Sequence, residues 1–404
     1  MLDFAQVRAQ FPGLQTDWTL FDNAGGSVPC RQVVDRVHEY LTQRCVQLGG
    51  SYALSDEATR AVEDGRAAVA QLIHAEPNEV VLGPSSTMLT RTLGAALRPL
   101  LSPGDEVVVT NLDHETNRTA WLALAEHGVV LREWRFDPET MRLEPEGLDA
   151  VLSERTRLVC FTHTSNIVGT IHDAAPLVRK VHDAGALACM DGVAYGPHRR
   201  IDVRALDVDF YFASLYKIYG PHMSFLYGKH ERLRELRSQN HFFFAESDVP
   251  DKLEPGAPTH ELAASLRGIV DYLTSLDDGD PGRSVHERLN RAFELIAETE
   301  SAVAAPLLSF LDEHPRVRII GSADPGSAHR APTIAFAVEG RKASEIPPLL
   351  DERKLAARWG HFYAYRLIEA LDLLEHDGVI RTSLVHYNTP DEVERLIEAL
   401  DEIL

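Results

Sequence analysis

Between about residues 60 and 230, short runs rich in β-branched and aromatic residues alternate with stretches whose apolar positions recur every three or four residues. Such alternation predicts a mostly parallel sheet covered by helices on both faces. The strand candidates are Glu106-Val-Val-Val-Thr110, Leu158-Val-Cys-Phe-Thr162, Ala186-Leu-Ala-Cys-Met190, Phe210-Tyr-Phe-Ala213 and Phe225-Leu-Tyr227. From about residue 284 the pattern changes to long helical stretches, including Glu287 to Glu313 and a last helix opened by Thr389-Pro-Asp-Glu392. Thr389 can cap that helix, Pro390 suits its first turn and Glu392 completes a capping box. The expectation is a large α/β domain followed by a smaller α+β domain.

Ligands of a parallel sheet collect beyond the carboxyl ends of its strands. Thr110-Asn-Leu-Asp-His114, His163-Thr-Ser-Asn166, Asp191 and Ser214 to Lys217 all fall there. Asp191, ending one apolar run, can hold a pyridine nitrogen protonated, and Lys217, just past the next, can form a Schiff base. Those are the two groups that pyridoxal phosphate (PLP) needs from a protein, so the pair points to amino-acid chemistry. Taken singly, Asp191 reads equally well as a helix cap and Lys217 as a solvated loop residue. Their convergence with other polar strand-end residues is what favours a site.

Pro84-Ser-Ser-Thr87 precedes a helical pattern from Met88 to Leu97, so the hydroxyls of Ser86 and Thr87 face the positive end of a helix, where a phosphate fits. Ordinary capping by either residue is the alternative. Ser214 supplies a further hydroxyl. His114 can stack over a cofactor ring and relay protons. Arg381 is a candidate for a two-pronged grip on a substrate carboxylate, and Arg358 competes for that role.

Composition bounds the setting. A chain of 404 residues suits a large catalytic domain with a smaller companion. Its four cysteines lack metal-ligand spacing, as expected of a reduced, cytoplasmic protein. No apolar run approaches the ~20 residues that span a bilayer, and the first residues lack a secretion signal. A net charge of −21, with acidic residues spread along the chain, argues against a nucleic-acid partner.

These motifs occur in an order that resembles the class V aminotransferase superfamily of PLP enzymes, and within it the cysteine-desulfurase-like proteins. The resemblance runs nearly end to end, through Phe21-Asp-Asn-Ala-Gly-Gly-Ser27, Pro103-Gly-Asp-Glu106, Asp113-His-Glu-Thr-Asn117, His163-Thr-Ser-Asn-Ile-Val-Gly169, Asp191-Gly-Val, Ser214-Leu-Tyr-Lys217, Tyr219-Gly-Pro221 and His386-Tyr-Asn-Thr389. It implies fold-type I, with a mostly parallel seven-stranded sheet in a large domain over residues 16–283 and a small domain made of 1–15 and 284–404. It also implies Lys217 as the cofactor's lysine, Asp191 at the pyridine nitrogen, His114 over the ring and Asn166 near the ring hydroxyl. Thr87 and Ser214 would hold the phosphate and Arg381 the substrate carboxylate, with Arg358, Asn23 and Tyr363 as further substrate candidates. A homodimer is implied as well, its sites at the interface and a loop around Glu254-Pro-Gly256 lent by the partner.

Departures from the family pattern bear on function. Similar desulfurases carry a sulfur-accepting cysteine in an Arg-x-Gly-His-His-Cys-Ala segment, where this chain reads Arg358-Trp-Gly-His-Phe-Tyr363-Ala364. Ala194, Ala257 and Tyr216 replace a Gln or His, a Thr and a His that relatives place near the cofactor. The expected activity is that of a cysteine or cysteine-conjugate C–S lyase without persulfide transfer. An aminotransferase or epimerase is the alternative within the family, and a non-catalytic scaffold the alternative outside it.

Overall fold

A computed structural model describes residues 1–404 apart from 278, 280, 281 and 327. The large sheet contains β1 (Val80–Gly83), β2 (Glu106–Thr110), β3 (Val130–Trp134), β4 (Thr156–Thr162), β5 (Leu187–Asp191), β6 (Phe210–Ser214) and β7 (Ser224–Gly228). Their spatial order is β3-β2-β4-β5-β6-β7-β1. All neighbours are parallel except around β7, which runs antiparallel to β6 and β1. Five strands fall within two residues of the sequence candidates. The other two lack a long apolar run: β1 has four residues, and edge strand β3 is interrupted by Arg132 and Glu133, which pair with Glu106 and Arg118.

Alternate strand residues serve opposite faces. Val107, Val109, Cys160, Cys189 and Phe210 pack under helices Ser86–Leu97 and Thr116–Ala125 through Leu89, Leu93 and Trp121. Val108, Val159, Ala188, Met190 and Tyr211 face the opposite layer, which holds Val69, Leu72, Leu177, Val178 and Val181. One contact there admits only glycine: a Cβ on Gly65 in helix Ala53–Ile73 would lie 1.8 Å from the Ala263 carbonyl oxygen. No described helix is long and apolar enough to cross a membrane.

Beyond Ser284 the architecture changes. Strands β8 (Val317–Ile320), β9 (Thr333–Val338), β10 (Arg358–Gly360) and β11 (Val379–Ser383) form an antiparallel sheet ordered β10-β11-β9-β8. Residues of the helices Val285–Glu313 and Pro390–Ile403 share its core, and both helices open with full capping boxes, Ser284 with Glu287 and Thr389 with Glu392. The first residues lie against these helices: the Leu2 amide donates to Thr299 Oγ1 at 3.0 Å, and Arg8 pairs with Glu392 at 2.8 Å.

Glu254 belongs to the segment that the resemblance assigns to a partner's site, yet its side chain is fastened within its own chain. Arg66 holds both carboxylate oxygens at 2.5 and 2.8 Å, and the Leu82 amide of β1 donates to Oε1 at 2.6 Å. The next residues project: Gly256 and Ala257 are exposed and left-handed, with φ of 82° and 62°. Removing one member of a buried ion pair leaves an uncompensated charge and typically costs about 3–5 kcal/mol. Arg66→Ala is therefore expected to lower the unfolding free energy by that amount, read as a shift of the urea midpoint at unchanged slope.

Candidate active site

The carboxyl ends of β2, β4, β5 and β6 border one cleft, open to solvent on one side. Ser85, Ser86, Thr87, His114, Thr116, Thr162, Thr164, Asn166, Asp191, Ala194, Ser214, Tyr216 and Lys217 line it. The sheet explains the convergence. Asp191 is the last residue of β5, paired in register with Phe212 of β6, and Ser214 ends β6 three residues before Lys217. Gly192 allows the packing behind Asp191, since a Cβ there would lie 2.1 Å from the Tyr211 ring.

At one end, hydroxyls gather at the amino terminus of helix Ser86–Leu97. Ser86 Oγ lies 2.7 Å from Ser214 Oγ and 3.3 Å from Ser224 Oγ, while Thr87 Oγ1 lies 2.9 Å from Thr116 Oγ1. The cap is Ser85, whose Oγ accepts from the Met88 amide, so Ser86 and Thr87 occupy the first turn instead of capping it. Hydroxyls and amides at a helix amino terminus suit a phosphate. Thr164 Oγ1, buried among the lining residues, has no partner among the described residues.

Burial sets the charges. Desolvation pushes the Lys217 amine down to about 8, assisted by the Arg381 charge and opposed by Asp191 and Asp22. It pushes the Asp191 carboxyl up to about 6, against the Val193 amide that donates to Oδ1 at 2.8 Å and against Lys217. Behind it Asp113 is raised to about 8, again chiefly by desolvation. His114 is driven down to about 3 by burial, then by Lys217 and Arg381. Its Nδ1 accepts from the Thr116 amide at 3.1 Å, so the neutral ring carries its proton on Nε2.

The arginines and Asn23 stand apart from the sequence expectation. Arg381, on β11, is 2% exposed and does not line the cleft. Its guanidinium lies 3.8 Å from the Phe362 ring centroid, Nη1 donates to the Asn166 carbonyl at 3.1 Å, and Nη2 donates to Asp22 Oδ1 at 3.0 Å. Arg358 is more than half exposed and reaches the other Asp22 oxygen at 3.3 Å. Asp22 thus joins both arginines, a role that its position two residues past a short apolar strand does not announce. Asn23 is a correction: its Nδ2 donates to Leu20 and Ser383 carbonyls and Asn388 Oδ1, and its Oδ1 accepts from the Tyr387 hydroxyl. That amide is engaged in joining the amino-terminal segment to the small sheet.

Tyr363 sits at the mouth, 65% exposed, its ring 5.2 Å from that of His114. The Asn166 amide, expected at the cofactor, here donates to the Phe362 carbonyl at 2.9 Å. Tyr216 lines the cleft and stacks on His222 at 4.9 Å, and Ala194 leaves its part of the wall without a polar group.

A buried lysine with a depressed pKa, a buried carboxylate facing the same cleft and a hydroxyl cluster at a helix end fit PLP, and together with this sheet they define a PLP-dependent α/β enzyme. Comparison with known proteins agrees. The family profile described as Aminotransferase class-V matches residues 19–396. The chain is 39% identical to the aminotransferase-like protein FGM3 of Gibberella zeae, over 98% of each. It is 33% identical to the cysteine desulfurase-like protein ustD of Aspergillus flavus, over 100% of this chain and 91% of that protein. The cysteine desulfurase CsdA of Escherichia coli superposes with a TM-score of 0.84 at 27% identity, covering 100% of this chain and 98% of that one. The chain belongs to the class V aminotransferase family and is a fold-type I enzyme that uses PLP.

If Lys217 is the amine that captures PLP, capture by the cofactor-free protein draws on its neutral form. With the amine at about 8, the capture rate is expected to rise about tenfold per pH unit from 6 to 8 and level off above, followed by the growth of yellow absorbance. A rate independent of pH over that range would contradict the assignment of Lys217.

Proposed function

We propose that this enzyme cleaves the bond between the β-carbon and sulfur of cysteine or a cysteine S-conjugate, without storing sulfur on its own thiol. The observation that supports this most directly is the absence of a cysteine from the cleft. By the resemblance Tyr363 stands where desulfurases carry the sulfur acceptor, Cys30, Cys160 and Cys189 are buried, and the exposed Cys45 is not among the residues that line the cleft. Burial pushes the Cys30 thiol up to about 12 and the Cys160 thiol well above its ordinary value, so neither is a ready nucleophile. Elimination needs no protein thiol.

PLP supplies an electron sink for the pair released at the substrate's α-carbon. Lys217 is the residue that carries the proton, its amine near 8 because it is desolvated beside Arg381. Asp191, kept from water and braced by the Val193 amide, holds the pyridine nitrogen's proton. His114, neutral across the physiological range, offers an Nε2 proton and a flat face. Ser86, Thr87 and Ser214 would hold the phosphate, with Ser224 bracing Ser86 and Ser214 from behind. Arg381 takes the substrate carboxylate. Loss of the α-proton and the β-thiolate leaves an enamine that water converts to pyruvate and ammonia, with sulfide or the thiol released.

The same reading includes a homodimer. Its support is the apolar surface near the mouth, where Met88, Trp359, Tyr363 and Tyr365 are all exposed. Arg358 remains the second candidate for the carboxylate.

Turnover of L-cysteine and an S-aryl cysteine should release pyruvate and the thiol in equal amounts, with no persulfide on the protein. Lys217→Ala is expected to abolish both the absorbance of lysine-bound cofactor and turnover while keeping the fold and the dimer, read by circular dichroism and size-exclusion chromatography. Conversion of an amino donor to its keto acid without pyruvate release would replace elimination by transamination. Exchange of the α-proton with solvent as the sole event would replace it by epimerisation.

A further inference from the structure

Arg381 is already paired with a carboxylate of this chain. Asp22 Oδ1 accepts from Arg381 Nη2 at 3.0 Å, and Oδ2 lies 3.3 Å from Arg358 Nη1. Nη1 of Arg381 is engaged by the Asn166 carbonyl, and its Nε is buried with no partner among the described residues. The edge formed by Nε and Nη2 therefore carries one unpartnered N–H, on Nε, beside one already taken, on Nη2, and a ligand carboxylate reaches that buried edge only where Asp22 gives way. Asp22 itself is about a quarter exposed. Its backbone is fixed independently of its side chain, because Phe21 and Asn23 on either side bond to Ser383. Movement of the carboxylate therefore requires no movement of the chain.

We infer that Asp22 is an internal stand-in for the substrate carboxylate. In the absence of ligand it satisfies Arg381 and bridges it to Arg358. A ligand carboxylate takes Nη2 together with the free Nε, and Asp22 is left on Arg358. Asp22 thereby determines specificity: an anion must outcompete a resident carboxylate, which favours a planar two-oxygen group over a spherical ion. This rests on reading Arg381 as the carboxylate grip, and not on which bond of the substrate is broken.

Propionate and uncharged propionamide, titrated calorimetrically into the PLP-loaded enzyme, separate the possibilities, because neither carries an amine and neither turns over. Asp22→Asn keeps the shape and removes the charge, and is expected to bind propionate at least about tenfold more tightly than wild type, the scale of one charge-assisted hydrogen bond, with propionamide unchanged. Asp22→Ser should show the same order, and Arg381→Lys added to either should erase the gain. Propionate binding that is equal or weaker in both Asp22 variants would overturn the inference and make Asp22 a residue that merely positions the arginines. Loss of the folded state in both would overturn it too, by showing that Arg381 cannot be left without that counter-ion. Enzyme that shows the expected pattern yet leaves cysteine untouched would refute the C–S lyase reading and leave this one standing.

Discussion

A guanidinium taken out of water is tolerated only where charge and hydrogen bonds surround it, and Arg381 is where this molecule meets that constraint. It sits in the middle of β11, paired in register with Ala335 on one side and Arg358 on the other. Asp22 reaches it from the amino-terminal segment, the Asn166 carbonyl from beyond β4, and the Phe362 ring from the loop after β10. Four parts of the chain, distant in sequence, are thereby ordered around one charge. The small sheet meets the border of the cleft through these contacts, together with others such as the bond from the Ala331 amide to the Gly169 carbonyl.

The remaining charges follow from the same economy of water. Lys217 loses basicity and Asp191 gains it, because burial takes each of them out of water. A lysine near 8 and a carboxyl near 6 differ less than they would in water, so proton transfer among the groups of the cleft is closer to balanced. Asp113, raised further behind Asp191, adds little negative charge near neutral pH, and the negative charge facing the lysine stays with Asp191 and Asp22.

Much of this was legible in the sequence, for a physical reason. Strand-end positions of a parallel sheet are fixed by local hydrophobic runs, so Asp191, Ser214, Lys217 and His114 could be placed in one site from pattern alone, and the structure brings them together. The illegible parts depend on long-range pairing. Ser224 joins the hydroxyl cluster because β7 is antiparallel, which puts its first residue beside the last residue of β6. Asn23 fell within a motif characteristic of the family, yet its amide is consumed by Ser383 and Asn388, more than 350 residues away. Asp22, its neighbour, drew no attention, although it pairs with both candidate arginines.

The loop from Gly360 to Tyr363 is held in a costly conformation by the groups around the cleft. Gly360, Phe362 and Tyr363 all have positive φ, at 127°, 47° and 61°, and for the two aromatic residues this costs about 1–2 kcal/mol each. Such strain persists only where the surroundings impose it. Here the Phe362 carbonyl accepts from Asn166, the Tyr363 carbonyl accepts from the Glu115 amide at 2.8 Å, and the Phe362 ring lies on Arg381. All three contacts are made by backbone groups or by Phe362, and none requires a particular side chain at position 363. The loop's conformation is thus set by its surroundings and not by the tyrosine that it carries.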